Sequence, residues 1–375
     1  MDKKPKRMVP EVRFKGFTDD WEQRKLGEVA KIIAGGDKKF DLIKPIGKYP
    51  VIANSVNTDG IVGFYDNEYT ITAPAITVTG RGDIGHAIAR FTNFTPVVRL
   101  LALKTNHNVT FLTNAINIIR IFNESTGVPQ LTKPQLASYS VKVTNLDEES
   151  KIANIIKSID KLLSLQQKKL EQIRVLKKAM LQQLFVTDKN TLVPNIRFKG
   201  FVDAWEQRKL GEVAEKFDNL RIPVAASKRE KGNIPYYGAN GIQDYVKGYT
   251  HNGEFVLVAE DGANDLQNYP VHYINGKVWV NNHAHVLQGK RYIADNLFLI
   301  NAIKKIKFET YLVGGSRAKL NADIMMKLPI ILPTFSEQQK LGRFFARVDN
   351  LIVLHQRKIH TLSNLKKFCL QKMFI

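Results

Sequence analysis

Three kinds of segment in this sequence carry residues able to do chemistry. Gly80-Arg81-Gly82-Asp83-Ile84-Gly85 matches G-x-G-x-x-G, which cradles a dinucleotide pyrophosphate when a strand precedes it and a helix follows. Here residues 86–91 alternate as a strand would, so the segment is predicted to be a glycine-rich turn. His283 and His285 stand two apart, predicted on one face of a strand. Zinc would need a third and a fourth ligand. No cysteine is near, and Asp261 and Asp295 are only loose candidates, so a hydrogen-bonding role is expected and no metal is assigned. The third kind is a loop running into a short helix, Ser125 to Lys133 and again Gly314 to Asn321, with Thr132 and Asn321 as predicted N-caps. Small residues and free amides before a helix suit phosphate, helped here by Lys133, Arg317 and Lys319. There is no Asn/Asp-Pro-Pro-aromatic motif for methylating an exocyclic amine and no G-x-x-x-x-G-K-[ST] loop. No residue is assigned a catalytic role.

The charge balance narrows the partner. Lys plus Arg number 56 against 35 acidic residues, a net +21 over 375 residues. An excess of that size steers polyanions toward the chain. It is spread along the length, +7 in 1–146, +3 in 147–187, +5 in 188–334 and +6 in 335–375. That distribution disfavours a neutral enzyme carrying one basic arm. The single cysteine, Cys369, excludes a disulfide framework and a cysteine-rich zinc site. The polar start, Met1-Asp2-Lys3-Lys4-Pro5, lacks the apolar core of a signal peptide. A cytoplasmic location is expected.

The elements that position these residues are set by an internal duplication. Residues 9–30 and 193–214 match at 18 of 22 positions at an offset of 184, both containing Trp-Glu-Gln-Arg-Lys-Leu-Gly-Glu-Val. A second block repeats at an offset of 189: Glu148, Lys151, Asp160, Lys177 and Phe185 return as Glu337, Lys340, Asp349, Lys366 and Phe374. The middles, 31–125 and 215–315, do not align readily. A common frame thus holds two different inserts.

The 189-offset block is helical. From 148 to 185, Ile152, Ile156, Ile159, Leu163, Leu170, Ile173, Met180 and Leu184 fall at alternating steps of three and four, without Gly or Pro, the seam of a coiled coil. The second copy supplies Leu341, Phe345, Val348, Ile352, Ile359, Leu362, Cys369 and Met373, with Ser336 and Gln339 as a predicted capping box. Polar residues interrupt both seams at matching places, Gln166 with His355 and Lys177 with Lys366. Gln166 and His355 lie near mid-helix, where a polar pair could fix register; reaching solvent is the alternative. Such a stripe needs cover, and the other copy is the simplest cover. The middles read as short strands near 69–78, 85–90, 96–103, 249–258 and 276–286, with helical patches near 109–122 and 295–310.

With frame and inserts assembled, the chain resembles the specificity subunit of type I restriction–modification systems. The resemblance rests on the duplicated openings, the two long helices, Gly314-Gly315-Ser316-Arg317-Ala318-Lys319-Leu320, and Trp279 to Leu287, and it covers essentially the whole chain. It implies an α+β fold with two pseudo-symmetric α/β target-recognition domains separated by two long antiparallel coiled-coil helices. The expected boundaries are 1–146 and 188–334 for the domains, and 147–187 and 335–375 for the helices. It further implies that each domain reads half of a split double-stranded DNA target and that the helices set the unread gap. The implied partners are two modification subunits using S-adenosylmethionine and motor-nuclease subunits using ATP and Mg2+. This chain itself would bind no cofactor. Base reading calls for bidentate donors. Candidates are Asn54, Asn57, Arg81, Arg90, Gln130 and Lys133 in the first insert. In the second they are Asn240, Gln243, Asn264, Asn281, Asn282, His283, His285, Arg317 and Lys319. The first copy has no evident match to Asn281-Asn282-His283-Ala284-His285. The competing readings are a stand-alone restriction endonuclease with a built-in specificity frame and a protein-binding coiled-coil scaffold.

Overall fold

The computed structural model describes residues 7–37, 40–55, 57–122, 127–187, 191–314 and 318–375. They form two compact units, one of 1–167 with 357–375, the other of 168–356. Each unit therefore takes part of both long helices, Leu146–Leu184 and Phe335–Lys372.

In the first unit the duplicated opening and the segment before the first long helix meet as one antiparallel ladder. Glu22–Lys25 pairs with Ser140–Val143. Trp21 is buried under it, edge-on to Phe111 and Phe374 at ring separations of 5.4 and 6.3 Å. Arg13 grips the fully buried Glu148 through two hydrogen bonds of 2.6 and 2.8 Å. Ile152, Ile156 and Ile159 are buried with Cys369 and Met373 in one core, and Lys366 on the second helix reaches Asp160 on the first at 2.6 Å. The insert hangs from this frame. It contains a four-stranded sheet in the order Ala30–Ala34, Leu100–Thr105, Ala75–Thr79, Ala87–Arg90, and a three-stranded one in the order Ile61–Tyr65, Tyr49–Ile52, Thr95–Pro96. Val109–Ile118 forms a helix, capped by Asn108 accepting from the Thr110 and Phe111 amides.

The second unit repeats the frame with its own residues. Glu206–Lys209 pairs with Pro329–Leu332, so the 184 and 189 offsets converge on one ladder with the same register. Trp205 packs on Phe185 and Phe298, both at 5.8 Å, and Arg197 holds Glu337 at 2.8 and 2.7 Å. Lys177 is paired with Asp349, the counterpart of Lys366 with Asp160. The polar interruptions at these two seam positions are thus interhelical ion pairs. The insert is a six-stranded sheet, Ala214–Lys216, Ala284–Gly289, His251–Ala259, Val271–Val280, Lys231–Gly238, Gly241–Val246 in spatial order, and a helix Asn296–Lys304 capped by Asp295.

The seams are as the periodicity predicts: every apolar seam residue named for both helices is buried or half-buried. Gln166 falls in the first unit and His355 in the second. The start of the second helix differs from the expected capping box. Phe335 is already helical, and Thr334 takes the cap position, its carbonyl accepting from the Glu337 and Gln338 amides at 3.0 Å each. Pro333 disfavours helical geometry in the residue before it, and the helix starts just after it, two residues earlier than a cap at Ser336 would give. The apolar run 276–286 is likewise not one strand: it breaks at 281–283, where the Asn281 side chain accepts from the His283 amide at 2.8 Å, a side-chain turn that competes with the ladder.

Candidate nucleic-acid interface

Asn54, Arg81 and Gln130 in the first unit, and Asn240, Asn264 and Lys319 in the second, lie at loops held by two corresponding sets of hydrogen bonds. In the first unit the Asn54 carboxamide oxygen accepts from the Gly80 and Arg81 amides at 2.6 and 3.1 Å, and its amide group donates to the Arg81 carbonyl. Arg81 in turn bridges to Gln130 across an antiparallel step, with the Leu131 amide on the Gly80 carbonyl at 2.8 Å. In the second unit Asn240 does the same work: its oxygen accepts from the Asn264 amide and its nitrogen donates to the Gly262 carbonyl, both at 2.9 Å. Asp261 bridges to Lys319, with the Leu320 amide on the Glu260 carbonyl at 2.7 Å. Asn54 and Asn240 are therefore at least partly committed to holding loops.

The same pairing finds what the sequence did not. The Val97 amide donates to the Ile52 carbonyl at 2.9 Å beside the parallel pair Ile52–Pro96, and the Asn281 amide donates to the Tyr237 carbonyl at 3.0 Å beside the parallel pair Tyr237–Val280. Residues 97–101 and 281–285 thus hold one register position in the two units. Arg99 stands where His283 stands. The available signal was the 184 offset itself, which relates both the openings and this pair; insertions of opposite sign between them hide it, and Val-Val-Arg-Leu-Leu shares no residue with Asn-Asn-His-Ala-His.

Arg99 is exposed, in the left-handed region at φ 73, and its guanidinium donates to Gln130 Oε1 at 3.0 Å. A Cβ on Gly80 would sit 2.3 Å from the Arg99 carbonyl oxygen, so the first glycine of the G-x-G-x-x-G segment is there for a close backbone approach. The segment itself is the turn between Ala75–Thr79 and Ala87–Arg90, an antiparallel hairpin, as its alternation predicts. His283 is exposed and its Nδ1 lies 2.5 Å from Asp261.

His285 is not available to a ligand. It is 1% exposed, with Nδ1 on Asp218 at 2.6 Å and Nε2 on the Leu320 carbonyl at 2.8 Å. The expected shared strand face with His283 fails because only His285 lies in the strand. Asn281 is also buried, pointing its amide at Gln243 at 3.4 Å, while Asn282 and Gln243 are exposed. Arg90 is half-buried and tied to the Thr77 hydroxyl at 3.0 Å and the Asp59 carbonyl at 2.8 Å; burial draws its pKa below the usual arginine value. Lys133 is exposed at the start of a six-residue helix whose predicted N-cap, Thr132, also forms a capping box with Gln135. Asn321 occupies the corresponding cap position before Ala322–Met326 but makes no side-chain cap bond. Arg317 and the side chain of Asn57 lie outside the described residues.

Asp218, Glu260 and His285 place ligand atoms within 4.8 Å of one another, a geometry that could hold a cation. Arg221 already lies 2.6 Å from Glu260 and 3.4 Å from Asp218, and Lys319 is 2.8 Å from Glu260. Burial pushes both carboxyl pKa values up, but the hydrogen bonds and charges of these neighbours outweigh it and hold both below the usual range. The cluster is charge-compensated by protein cations and braces the 218–221, 260–264 and 281–285 loops against one another. Lys319 is raised above its ordinary value chiefly by its hydrogen bond to Glu260.

A family model for the type I restriction modification DNA specificity domain matches twice, over residues 18–175 and 203–364. A type I restriction enzyme specificity subunit of Haemophilus influenzae is 48% identical over 136 residues, 36% of this chain and 35% of that protein. The chain thus matches about a third of the length of that curated relative. The MjaVIII specificity subunit of Methanocaldococcus jannaschii aligns over 93% of this chain and 91% of its own length at 20% identity. The crystal structure of the S subunit of a type I restriction–modification system from M. genitalium superposes with a TM-score of 0.78 over 98% of this chain and 99% of that one, at 18% identity, a likeness of fold. Two copies of one family domain, built on one repeated frame and carrying unlike inserts, make this chain a member of the type I restriction–modification DNA specificity family.

Proposed function

We propose that this chain is the sequence-reading subunit of a type I restriction–modification complex and recognises a bipartite double-stranded DNA target, one half per insert. The observation that carries this reading is the contrast between the repeated Arg–Glu, Trp and strand-pair frame and the different side chains presented at corresponding loops, Arg99 with Gln130 against His283 with Lys319. A frame duplicated for mounting need not change, whereas a reader must, because each base pair presents its own donor–acceptor pattern in the major groove. The net +21 charge supplies the sequence-independent attraction to phosphate.

In this reading the paired long helices fix the unread gap. Two modification subunits supply S-adenosylmethionine-dependent adenine N6 methylation, and motor-nuclease subunits supply ATP- and Mg2+-dependent cleavage. The chain itself is non-catalytic and works in the cytoplasm. The test is to exchange residues 31–125 for the same region of a relative and map methylation by the complex with modification subunits. One half-target should change and the other persist; a change in both, or DNA cleavage by the purified chain with Mg2+ alone, would overturn the proposal.

A further inference from the structure

We propose that Arg99, held by Gln130, is a specificity-determining residue of the first half-target and reads a guanine there. This rests on the reading of the chain as a DNA-sequence reader, and it names the residue and the base.

Four observations converge on Arg99. Its backbone sits at φ 73, a conformation that is uncommon for a residue with a side chain and that persists only where the surroundings enforce it, typically at functional positions. Those surroundings are visible: the Leu100 amide closes the turn on the Val97 carbonyl at 3.0 Å, the Gly35 amide holds the Leu100 carbonyl at 2.8 Å, and Gly80 admits the Arg99 carbonyl where any Cβ would collide. The side chain is exposed yet oriented by one neutral partner, Gln130 Oε1 at 3.0 Å, and no carboxylate pairs with it among the described residues. That contact uses one of the five guanidinium donors. The remaining fork is of the kind that meets guanine O6 and N7 together, and the Gln130 amide nitrogen stands beside it as a second donor.

The fourth observation is the second unit. The same register position carries His283, also exposed and also held from the neighbouring loop, by Asp261 at 2.5 Å. The position opposite, Gln130 in one unit, is Lys319 in the other. Positions that share a ladder register and differ in chemistry are where two domains of one design would read different bases. Arg90 and Lys133 lack this correspondence: the first is tied down inside the insert, and the second lies on a short capped helix.

The experiment uses the full complex of this chain with its modification subunits, selecting from duplex DNA in which both half-targets are randomised. Two variants are compared with the parent, Arg99→Lys and Arg99→Ala. The lysine keeps the charge and loses the planar fork. With Arg99→Lys, preference for guanine at one position of the first half-target should fall by roughly 5- to 150-fold, the range for one bidentate base contact. The second half-target should be read as before, which also reports that the variant is folded. Arg99→Ala should lose the same preference. If Arg99→Lys reads like the parent while Arg99→Ala weakens binding to all sequences alike and flattens the salt dependence, Arg99 is a phosphate contact and the proposal is wrong. Unchanged selection in both variants overturns it equally. Failure of the parent complex to select any sequence sinks the DNA-reading function itself, and the inference with it.

Discussion

Arg13→Ala and Arg197→Ala should damage the two units unequally, although the two arginines occupy the same place in the repeat. Each makes a two-bonded pair with a buried glutamate, Glu148 at 0% and Glu337 at 1% side-chain exposure. Removing one partner of a buried pair leaves an uncompensated charge and costs about 3–5 kcal/mol. Glu148 has a reserve: it also accepts from the Thr144 hydroxyl at 2.7 Å and from Trp21 Nε1 at 3.2 Å. Burial alone would raise its pKa, and Arg13, Thr144 and Trp21 together hold it low. Glu337 has neither reserve. The residue matching Thr144 is Pro333, which has no donor, and Trp205 Nε1 is buried with no hydrogen-bond partner. Arg197→Ala should therefore cost near the upper end of that range. Arg13→Ala should cost about 1–2 kcal/mol less, because hydrogen bonds to a charged group that survive are each worth about that much or more. The difference corresponds to roughly 2–8 °C in the melting temperature of units this size. Amide hydrogen exchange reads both units in one sample, through Ser140–Val143 in the first and Pro329–Leu332 in the second. Equal loss, or greater loss from Arg13→Ala, would refute the reasoning that the reserve contacts matter.

Two further outcomes follow from the same frame. His107 is held above the usual histidine value chiefly by its hydrogen bond to Glu149 at 2.8 Å, so the protonated pair contributes stability that is fully present below about pH 6.5 and is lost as pH rises through the raised value. The residue matching Glu149 in the second unit is Gln338, which does not titrate and so cannot form the same pair. Exchange protection in the first unit should thus fall with rising pH, whereas the second unit, whose His251 and His272 are drawn below the usual histidine value by burial, should not lose protection over that range; His107→Gln should abolish the fall in the first unit, and a level first-unit profile in the parent counts against the pair. Inserting four residues after Gln166 together with four after His355 keeps Asp160 with Lys366 and Lys177 with Asp349, whereas either insertion alone must break one pair. If the paired long helices fix the unread gap, the double insertion should lengthen it by about two base pairs, from ~1.5 Å per helical residue and ~3.4 Å per base pair. An unchanged gap in the methylation pattern would end that reading.

The legible and the illegible parts of this chain divide along its repeat. The helices could be read because a stripe such as Ile152, Ile156, Ile159 and Leu163 is a local, periodic property that survives in one dimension. The turn at Gly80 could be read because the residues after it alternate. Arg99 could not be, because its role is set by Gly80, Val97 and Gln130, which come together only through ladder registers separated by insertions. For the same reason the sequence could not tell whether the hydrogen bonds expected of His285 go to a ligand or stay within the domain. Its type suggests a ligand-facing group, but Asp218 and the Leu320 carbonyl, distant in sequence, close over both ring nitrogens.

What the sequence by itself determined is the architecture: two copies of one frame, two long helices with an apolar seam, and two unlike inserts under a strong positive charge. Hydrophobic period and self-similarity carry that information directly. What only the tertiary structure decided is which polar side chains are free to face a ligand. Burial and hydrogen-bond partnership depend on neighbours brought in from far along the chain, and two residues of the same type, such as Arg90 and Arg99, differ only in what packs around them.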